Sequence, residues 1–238
     1  MPAFSVVVPT LEEEERVERT LRSARRALGD DAELIVVDGG SRDGTREAAS
    51  GLARVLEAPP RRGLQLDAGA RAAAGEILVF LHADTRLEPD SGEAIRTALA
   101  RPDVAGGCFR FAVDPPSSPG SRYRLLEAAV RLRTRLFRTA TGDQAIFTTR
   151  ETYGRAGGYP DHPLFEDVAF VRRLRRLGRF VPIRARALTS RRRWERDGFW
   201  ATVARHGLLR LAYGAGVSPE RLAAWYGARS GPGARAAG

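Results

Sequence analysis

Lysine is absent from this chain of 238 residues. All 39 of its basic side chains are arginines, and with 29 acidic residues they give a formal net charge of +10. Two explanations stay open for this excess. One is a polyanionic partner, such as nucleic acid, an anionic membrane surface or a phosphorylated small molecule. The other is a GC-rich genome that encodes its positive charge as arginine on a solvated surface without such a partner.

Cysteine and long apolar runs are equally scarce. Cys108 is the only cysteine, which excludes a disulfide framework and a zinc site built from cysteines. No stretch approaches the about 20 uninterrupted apolar residues that cross a bilayer. The opening MPAFSVVVPTLEEEE has too short an apolar run for a signal peptide. We therefore expect a cytoplasmic protein, at most peripheral to the inner face of the membrane.

What the sequence does contain is a regular alternation of apolar runs and helical patterns. Strands are predicted at residues 4–9, 33–38, 53–59 and 76–81, and helical segments separate them, beginning with 13–28. Such alternation is typical of βαβ units. It predicts an α/β fold with a mostly parallel sheet and helices on both faces.

Two of these strands end in acids. Asp38 follows the second strand and Asp84 follows the fourth, at the edge where ligands bind in such sheets. The turn after the first strand reads PTLEEEE and lacks G-x-G-x-x-G, which disfavours a nicotinamide or flavin enzyme. We expect Asp84 to bind a divalent cation and Asp38 to form a hydrogen bond with a base or a ribose hydroxyl. The alternative is that both acids only cap the helices that follow.

Five motifs in order carry a family resemblance. They are VVVPTLEEEERV, LIVVDGGSRDGT, GEILVFLHADT, GDQAIFTTRETYGRAGGYPDHPLFEDVAF and SRRRWERDG. Together they resemble the family 2 glycosyltransferases, and most closely the small stand-alone group associated with arsenosugar biosynthesis. The resemblance implies a GT-A fold, a Rossmann-like sheet of the nucleotide-diphospho-sugar transferase type.

The resemblance also implies an activity. It is an inverting, metal-dependent transfer of a sugar from a nucleoside diphosphate sugar to an acceptor hydroxyl, with Mn²⁺ or Mg²⁺ as cofactor. A UDP-sugar is the favoured donor and a GDP-sugar stays open. The acceptor is a small metabolite, a glycan or a lipid, peripheral membrane contact stays open, and the sequence does not indicate an oligomeric state.

In the family an acid-x-acid motif ends the fourth strand, and its counterpart here is HAD, residues 82–84. Asp84 matches the metal ligand. His82 replaces the first acid and could contact the ribose or the metal, or only pack at the strand end. Glu12 stands where such sequences usually carry Asn. The nucleotide pocket implied by the resemblance comprises Pro9, Thr10, Glu12, Asp38, Arg62, His82 and Asp84.

The second half is expected to supply the catalyst. By the resemblance Asp167 is the general base, beside Glu166 under the acceptor site, because an attacking hydroxyl must lose its proton. The alternative is an acid pair that favours a helix dipole. Arg193 is expected to pair with the diphosphate. Trp194 is expected either to wall off the acceptor or to fill the core.

The segment 121–137 predicts an amphipathic helix with Leu125, Ala129, Leu132 and Leu136 on one stripe. A basic helix of this kind could lie on a membrane. We expect the more common arrangement, in which the stripe packs against the sheet and the arginines face outward.

Residues 1–227 are predicted to form one domain. Its parts are a nucleotide-sugar half (1–100), an acceptor half (101–200) and C-terminal helices (201–227), followed by a flexible tail, 228–238. Two other functions stay open. A nucleotidyltransferase acting on sugar phosphates would be expected to show a basic phosphate loop after the first strand. A non-catalytic nucleic-acid binder would use the net charge, but the sequence has no recognisable nucleic-acid-binding motif, so we expect no such partner.

Overall fold

A computed structural model describes residues 2–116 and 121–229. The strands are β1 Phe4–Thr10, β2 Glu33–Asp38, β3 Arg54–Glu57, β4 Ile77–Phe80, β5 Thr85–Leu87, β6 Val104–Asp114, β7 Ile146–Thr149 and β8 Arg179–Ser190. The helices are α1 Glu14–Leu28, α2 Thr45–Ser50, α3 Arg62–Ala72, α4 Gly92–Leu99, α5 Arg122–Phe137, α6 Arg150–Arg155, α7 Glu166–Leu177, α8 Arg192–Asp197, α9 Phe199–Gly214 and α10 Pro219–Arg229. A short 3-10 turn covers Gly142–Gln144.

The strands of the described ranges form one sheet in the order β3-β2-β1-β4-β7-β6-β8-β5. The four strands β3, β2, β1 and β4 run parallel to one another. Strand β7 runs antiparallel to both of its neighbours, and β6 pairs in parallel with β8. The predicted mostly parallel α/β sheet is confirmed, and it brings the carboxyl ends of β1, β2 and β4 to one edge.

Alternation along β1 builds a core on each face of the sheet. Val6 and Val8 pack with Leu21 of α1 on one face. Val7, between them, packs with Leu66 of α3 on the other. Because successive strand side chains point to opposite faces, a continuous apolar run is what a strand covered on both sides requires.

The apolar stripe of α5 faces solvent, so the expectation that it packs against the sheet was wrong. Leu125, Leu132 and Leu136 are 63%, 58% and 66% exposed. Tyr123 lies on the opposite, buried side of the helix and packs in a small cluster with Phe199 of α9.

Polar contacts explain this orientation of α5. Glu127 is buried and accepts a hydrogen bond from the Val113 amide at 3.0 Å. Gln144 accepts from Arg133 at 2.8 Å and donates to Thr134 at 3.1 Å. A buried carboxylate or amide without such partners is costly, so these bonds decide which face turns inward.

The C-terminal boundary differs slightly from the prediction. Helix α10 continues to Arg229, two residues beyond the predicted end of the domain. The rest of the predicted tail, 230–238, lies outside the described residues, and the division into functional parts stays a prediction. No helix of the described ranges has the length and apolar content needed to cross a membrane.

Truncation of the aromatic cluster beneath the sheet tests this core. Phe80 is 2% exposed, and its ring centroid lies 4.9 Å from Tyr159 and 5.7 Å from Phe170. We expect Phe80→Ala to lower the free energy of unfolding by about 3–5 kcal/mol, because a cavity replaces the ring. Urea denaturation measures this. The partly exposed Leu177, changed to Ala, is the control, and an equal loss in both variants would contradict the packing.

Candidate active site

A cleft opens at the carboxyl ends of β1 and β4. It lies between the start of α3, the turn from β4 to β5, and the start of α8. Its lining residues are Pro9, Thr10, Leu11, Glu13, Arg62, Gln65, His82, Ala83, Asp84, Arg192 and Arg193. The structure thus brings together six predicted site residues: Pro9, Thr10, Arg62, His82, Asp84 and Arg193.

The carboxylate of Asp84 has few hydrogen-bond partners among the described residues. Its Oδ1 atom lies 3.4 Å from the Thr85 hydroxyl, a long hydrogen bond. The other oxygen accepts no hydrogen bond from the part of the chain that the structure describes. A carboxylate of this kind retains free lone pairs for a cation or a hydroxyl.

His82 is half-buried, and its Nε2 atom, which is shielded from solvent, has no hydrogen-bond partner within residues 2–116 and 121–229. Burial, aided by the positive charges of Arg62 and Arg193, holds the pKa of His82 well below its usual value. The ring is therefore neutral at physiological pH. A neutral imidazole can accept a hydrogen bond or ligate a metal ion.

Asp38 is fully buried, and its carboxylate organises the turn after β2. Its Oδ1 accepts hydrogen bonds from the Gly40 amide at 3.0 Å and the Ser41 amide at 2.8 Å. Its Oδ2 accepts from the Thr10 hydroxyl at 3.0 Å and the Ser41 hydroxyl at 2.5 Å. Asp38 is not among the lining residues, and its bond to a base stays a prediction.

Glu12 also faces the turn after β2 and does not line the cleft. Its Oε1 atom accepts from the Arg42 amide at 2.8 Å, and its own amide donates to the Ser41 hydroxyl at 3.0 Å. Its φ of 56° lies in the left-handed region, where Asn is several-fold enriched. The Asn that related sequences carry here thus matches the backbone conformation of this position.

Glu13 lines the cleft and was missed by sequence reasoning. Its Oε1 atom lies 2.5 Å from Arg192 of α8, and its Oε2 atom lies 3.3 Å from Arg16. Burial, with the negative charge of Asp84, raises the pKa of Glu13 against the opposing effect of the two arginines. The signal available was the run EEEE after β1, in which no single acid stands out.

The predicted base, Asp167, lies with Glu166 in the first turn of α7, and both side chains are buried. Asp167 Oδ2 accepts from the Gly142 amide at 2.7 Å, and its Oδ1 accepts from the Val168 amide at 2.6 Å. Burial and the neighbouring Glu166 raise the pKa of Asp167 to about 6, while the Gly142 amide opposes this shift. The carboxylate is fixed in orientation and is a stronger base than an ordinary aspartate.

Arg62 connects this acid pair to the cleft. Its guanidinium lies 3.1 Å from the Glu166 carboxylate. Burial lowers the pKa of Arg62, but the negative charges of Glu166 and Asp167 together have the larger effect, so the pKa is raised above its usual value. The side chain therefore carries a permanent positive charge at the boundary between the cleft and the acid pair.

Trp194 is buried and packs in the core, which matches the second of the two alternatives, and its contact with an acceptor stays a prediction. It is 9% exposed, and its ring centroid lies 6.1 Å from Phe111 and 6.4 Å from Tyr123. Its neighbour Arg193 lines the cleft and forms no ion pair with the described residues. Helix α8 thus places two arginines, Arg192 and Arg193, at the cleft and packs into the core through the tryptophan.

Gly142 is a second residue that sequence reasoning missed. Its amide orients Asp167, and a Cβ atom added to it would lie 2.1 Å from His82 Nε2. Only glycine lets the turn approach both side chains this closely. The GDQ motif contained this signal, but the distance between Gly142 and His82 depends on the fold.

The variant Gly142→Ala tests this approach. We expect the added methyl group to displace the His82 ring and to lower the free energy of unfolding by about 1–3 kcal/mol, the usual effect of overpacking. The chain has three histidines, so NMR of their ring protons can assign the change to His82. Gly154→Ala, where no atom lies within 4 Å of the added Cβ, is the control. Unchanged His82 signals in Gly142→Ala would contradict the contact.

Two solved structures share the fold. A mannosyltransferase from Pyrobaculum calidifontis, in complex with GDP-Man and Mn²⁺, matches with a TM-score of 0.66 and 24% identity over 92% of this chain and 66% of that protein. Glucosyl-3-phosphoglycerate synthase from Mycobacterium tuberculosis, in complex with Mn²⁺, UDP and glucosyl-3-phosphoglycerate, matches with a TM-score of 0.52 and 23% identity over 79% of this chain and 72% of that protein. At these identities the matches show a common GT-A architecture.

Curated relatives match over a shorter region. An uncharacterised glycosyltransferase from Nostoc sp. is 27% identical over 111 residues, and an uncharacterised protein from Mycobacterium tuberculosis is 30% identical over 109. Each match covers 43% of this chain and 34% of the relative, so the matched region spans about a third of either relative.

The family model described as glycosyl transferase family 2 matches residues 5–157, which is more than half of the chain. This region contains β1, the acids at the ends of β2 and β4, and the 3-10 turn beside Asp167. The chain therefore belongs to glycosyl transferase family 2, and it has the GT-A fold.

Proposed function

We propose that this glycosyltransferase moves a sugar from a nucleoside diphosphate sugar to an acceptor hydroxyl, with inversion and with a divalent cation. One arrangement carries the proposal. The cleft combines the free carboxylate oxygen of Asp84, the neutral His82 and the cations Arg62 and Arg193. Asp167 does not line the cleft, but Arg62 connects the cleft to its neighbour Glu166 at 3.1 Å.

Positive charge in the cleft fits a diphosphate. Arg62 and Arg193 both lower the pKa of His82, so both guanidinium groups lie close to the ring. Arginine binds phosphate oxygens through two parallel N–H donors. The solved relatives were crystallised with GDP-Man or UDP, which supports this class of donor. A UDP-sugar is favoured and a GDP-sugar is the second candidate.

The residues present fit a divalent cation that is held mainly by its substrate. The described part of the chain has no cluster of three or more His, Cys, Asp or Glu side chains able to hold a metal ion. Mg²⁺ in phosphate-transfer sites binds through one or two carboxylates, substrate phosphates and water. Asp84 and the unpartnered His82 Nε2 would supply the protein ligands. When bound, the cation would neutralise charge on the diphosphate.

Asp167 is suited to take the proton of the acceptor. In an inverting transfer the hydroxyl attacks the anomeric carbon from the face opposite the diphosphate and loses its proton as the bond forms. With a pKa of about 6, the carboxylate is mostly ionised near neutral pH. Its two backbone bonds use one lone pair on each oxygen, so each oxygen retains another for the acceptor hydroxyl.

The pH dependence of transfer tests this role. Because Asp167 accepts a proton only when ionised, we expect kcat/KM to fall tenfold per pH unit below about 6 and to level off above it. Asp167→Asn should lose at least about a hundredfold in kcat and show no such inflection. Rates are measured as release of the nucleoside diphosphate across the pH range. A wild-type profile that stays flat down to pH values well below 6 would contradict the assignment.

The donor site is tested separately by ligand-induced stabilisation. UDP, GDP and their common sugar conjugates are added with and without Mn²⁺ or Mg²⁺ in thermal unfolding and calorimetry. A nucleotide at about 100 times its dissociation constant stabilises the fold by about 2.7 kcal/mol, and Asp84→Ala should abolish the cation-dependent part. Asp30→Ala, at an exposed acid between α1 and β2, is the control. Full stabilisation of the Asp84 variant would remove Asp84 from the cation site.

The acceptor is a small metabolite, a glycan or a lipid, and the arsenosugar association stays a prediction. Among the other functions, the nucleic-acid binder is set aside because the chain belongs to glycosyl transferase family 2. A nucleotidyltransferase is not favoured either, because Glu12 and Glu13 occupy the turn where a basic phosphate loop would be expected. Release of pyrophosphate from a nucleoside triphosphate would reverse this preference.

A further inference from the structure

Two helices of the C-terminal half carry large apolar side chains that no described residue covers. On α5 these are Leu125, Leu132, Leu136 and Phe137, and on α9 they are Trp200, Leu208 and Leu211, all between 58% and 73% exposed. On α5, Leu125, Leu132 and Leu136 lie on one stripe, and Phe137 lies about 120° away from it at about 100° per residue. These three leucines of α5 are called the apolar face below.

The two helices contact each other near their starts, where the ring centroids of Tyr123 and Phe199 are 5.2 Å apart. Tyr123 lies on the side of α5 opposite the three leucines and is buried. The apolar face is therefore left to solvent.

Unpaired positive charge borders this surface. Arg131, Arg135 and Arg138 are exposed, and none has an acidic partner among the residues that the structure describes. Elsewhere the surface arginines are often paired, as Arg22 is with Glu18 at 2.8 Å. The sequences of α5 and α9 include one acid, Glu127, which is buried. The surface therefore combines apolar side chains with arginines and exposes no carboxylate of its own helices.

We propose that the apolar face docks on an anionic lipid bilayer. Leucine side chains enter the boundary between headgroups and acyl chains, while arginines of the same helix reach lipid phosphates. A second copy of the chain fits less well, because a two-fold contact through this face would bring the unpaired arginines of both copies together. The docking does not depend on the donor or the acceptor proposed above.

Vesicle flotation tests the docking. Vesicles of phosphatidylcholine with about 30% phosphatidylglycerol are compared with pure phosphatidylcholine vesicles, at roughly 50 mM and 500 mM salt. We expect the wild-type chain to float with the anionic vesicles at low salt and to be largely released at high salt. Little flotation is expected with the neutral vesicles.

Two sets of substitutions separate the apolar contribution to vesicle binding from the electrostatic one. Leu125→Gln, Leu132→Gln and Leu136→Gln, made together, should lower partitioning at least about tenfold, because the inserted apolar area is lost. Arg131→Gln, Arg135→Gln and Arg138→Gln, made together, should lower it about fivefold per arginine and remove most of the salt dependence. The matched controls are Leu177→Gln and the triple change Arg22→Gln, Arg46→Gln and Arg71→Gln, at exposed positions on other helices.

Several outcomes would overturn the proposal. Wild type that does not bind anionic vesicles, or variants of both sets that bind as wild type does, would each refute it. A concentration-dependent dimer that the leucine variant converts to a monomer, without vesicle binding, would identify a second copy as the occupant. Thermal unfolding of every variant checks the fold, and if the leucine variant unfolds, the arginine variant and its matched control decide the question.

Discussion

The ion pair between Arg62 and Glu166 joins the two halves of the sheet's binding edge. Arg62 begins α3, which packs under β1 and β2, and Glu166 begins α7, which packs under β6 and β8. The Glu166 side chain is 4% exposed and the Arg62 side chain is 31% exposed. Removing Arg62 would leave the buried Glu166 carboxylate uncompensated, which is far more costly than the pair itself is favourable. The same contact holds Arg62, at the cleft, in a fixed position relative to Glu166 and Asp167.

Local patterns predicted the first half of the fold well. The runs at 4–9, 33–38 and 76–81 correspond within one residue at each end to β1, β2 and β4. Each strand is covered on both faces, so its apolar content alone identifies it. The shorter β3 lies at the edge of the sheet, and its predicted range of 53–59 narrows to four residues.

The orientation of α5 could not be read from its own sequence. Its leucine stripe is the most regular feature of the segment, yet Glu127 and Thr134 are buried instead, because Val113 and Gln144 supply hydrogen bonds from elsewhere in the chain. Trp194 is a similar case. Whether a tryptophan faces a ligand or the core depends on neighbours such as Phe111, which lies 83 positions earlier in the sequence.

At the site, the ordered motifs identified the residues that line the cleft but not those that fix the geometry of these side chains. His82, Asp84 and Arg193 follow from their places in ordered motifs, and the structure gathers them. Gly142 acts through a backbone amide and a missing Cβ, and neither leaves a chemical signature in the sequence. For Asp38 the motif gave no sign that the turn after β2 supplies hydrogen bonds to its carboxylate.

Helix α8 connects two regions, because its six residues contact both the cleft and the aromatic cluster behind the apolar face. Arg192 and Arg193 lie in the cleft, while Trp194 packs against Tyr123 of α5, behind the apolar face. Under the two proposals above, a diphosphate that drew Arg192 away from Glu13 would move a helix on which the packing of α5 depends. By thermodynamic reciprocity, any factor by which the donor changed affinity for a surface would be the factor by which that surface changed affinity for the donor. Six residues would then couple nucleotide occupancy to attachment of the apolar face.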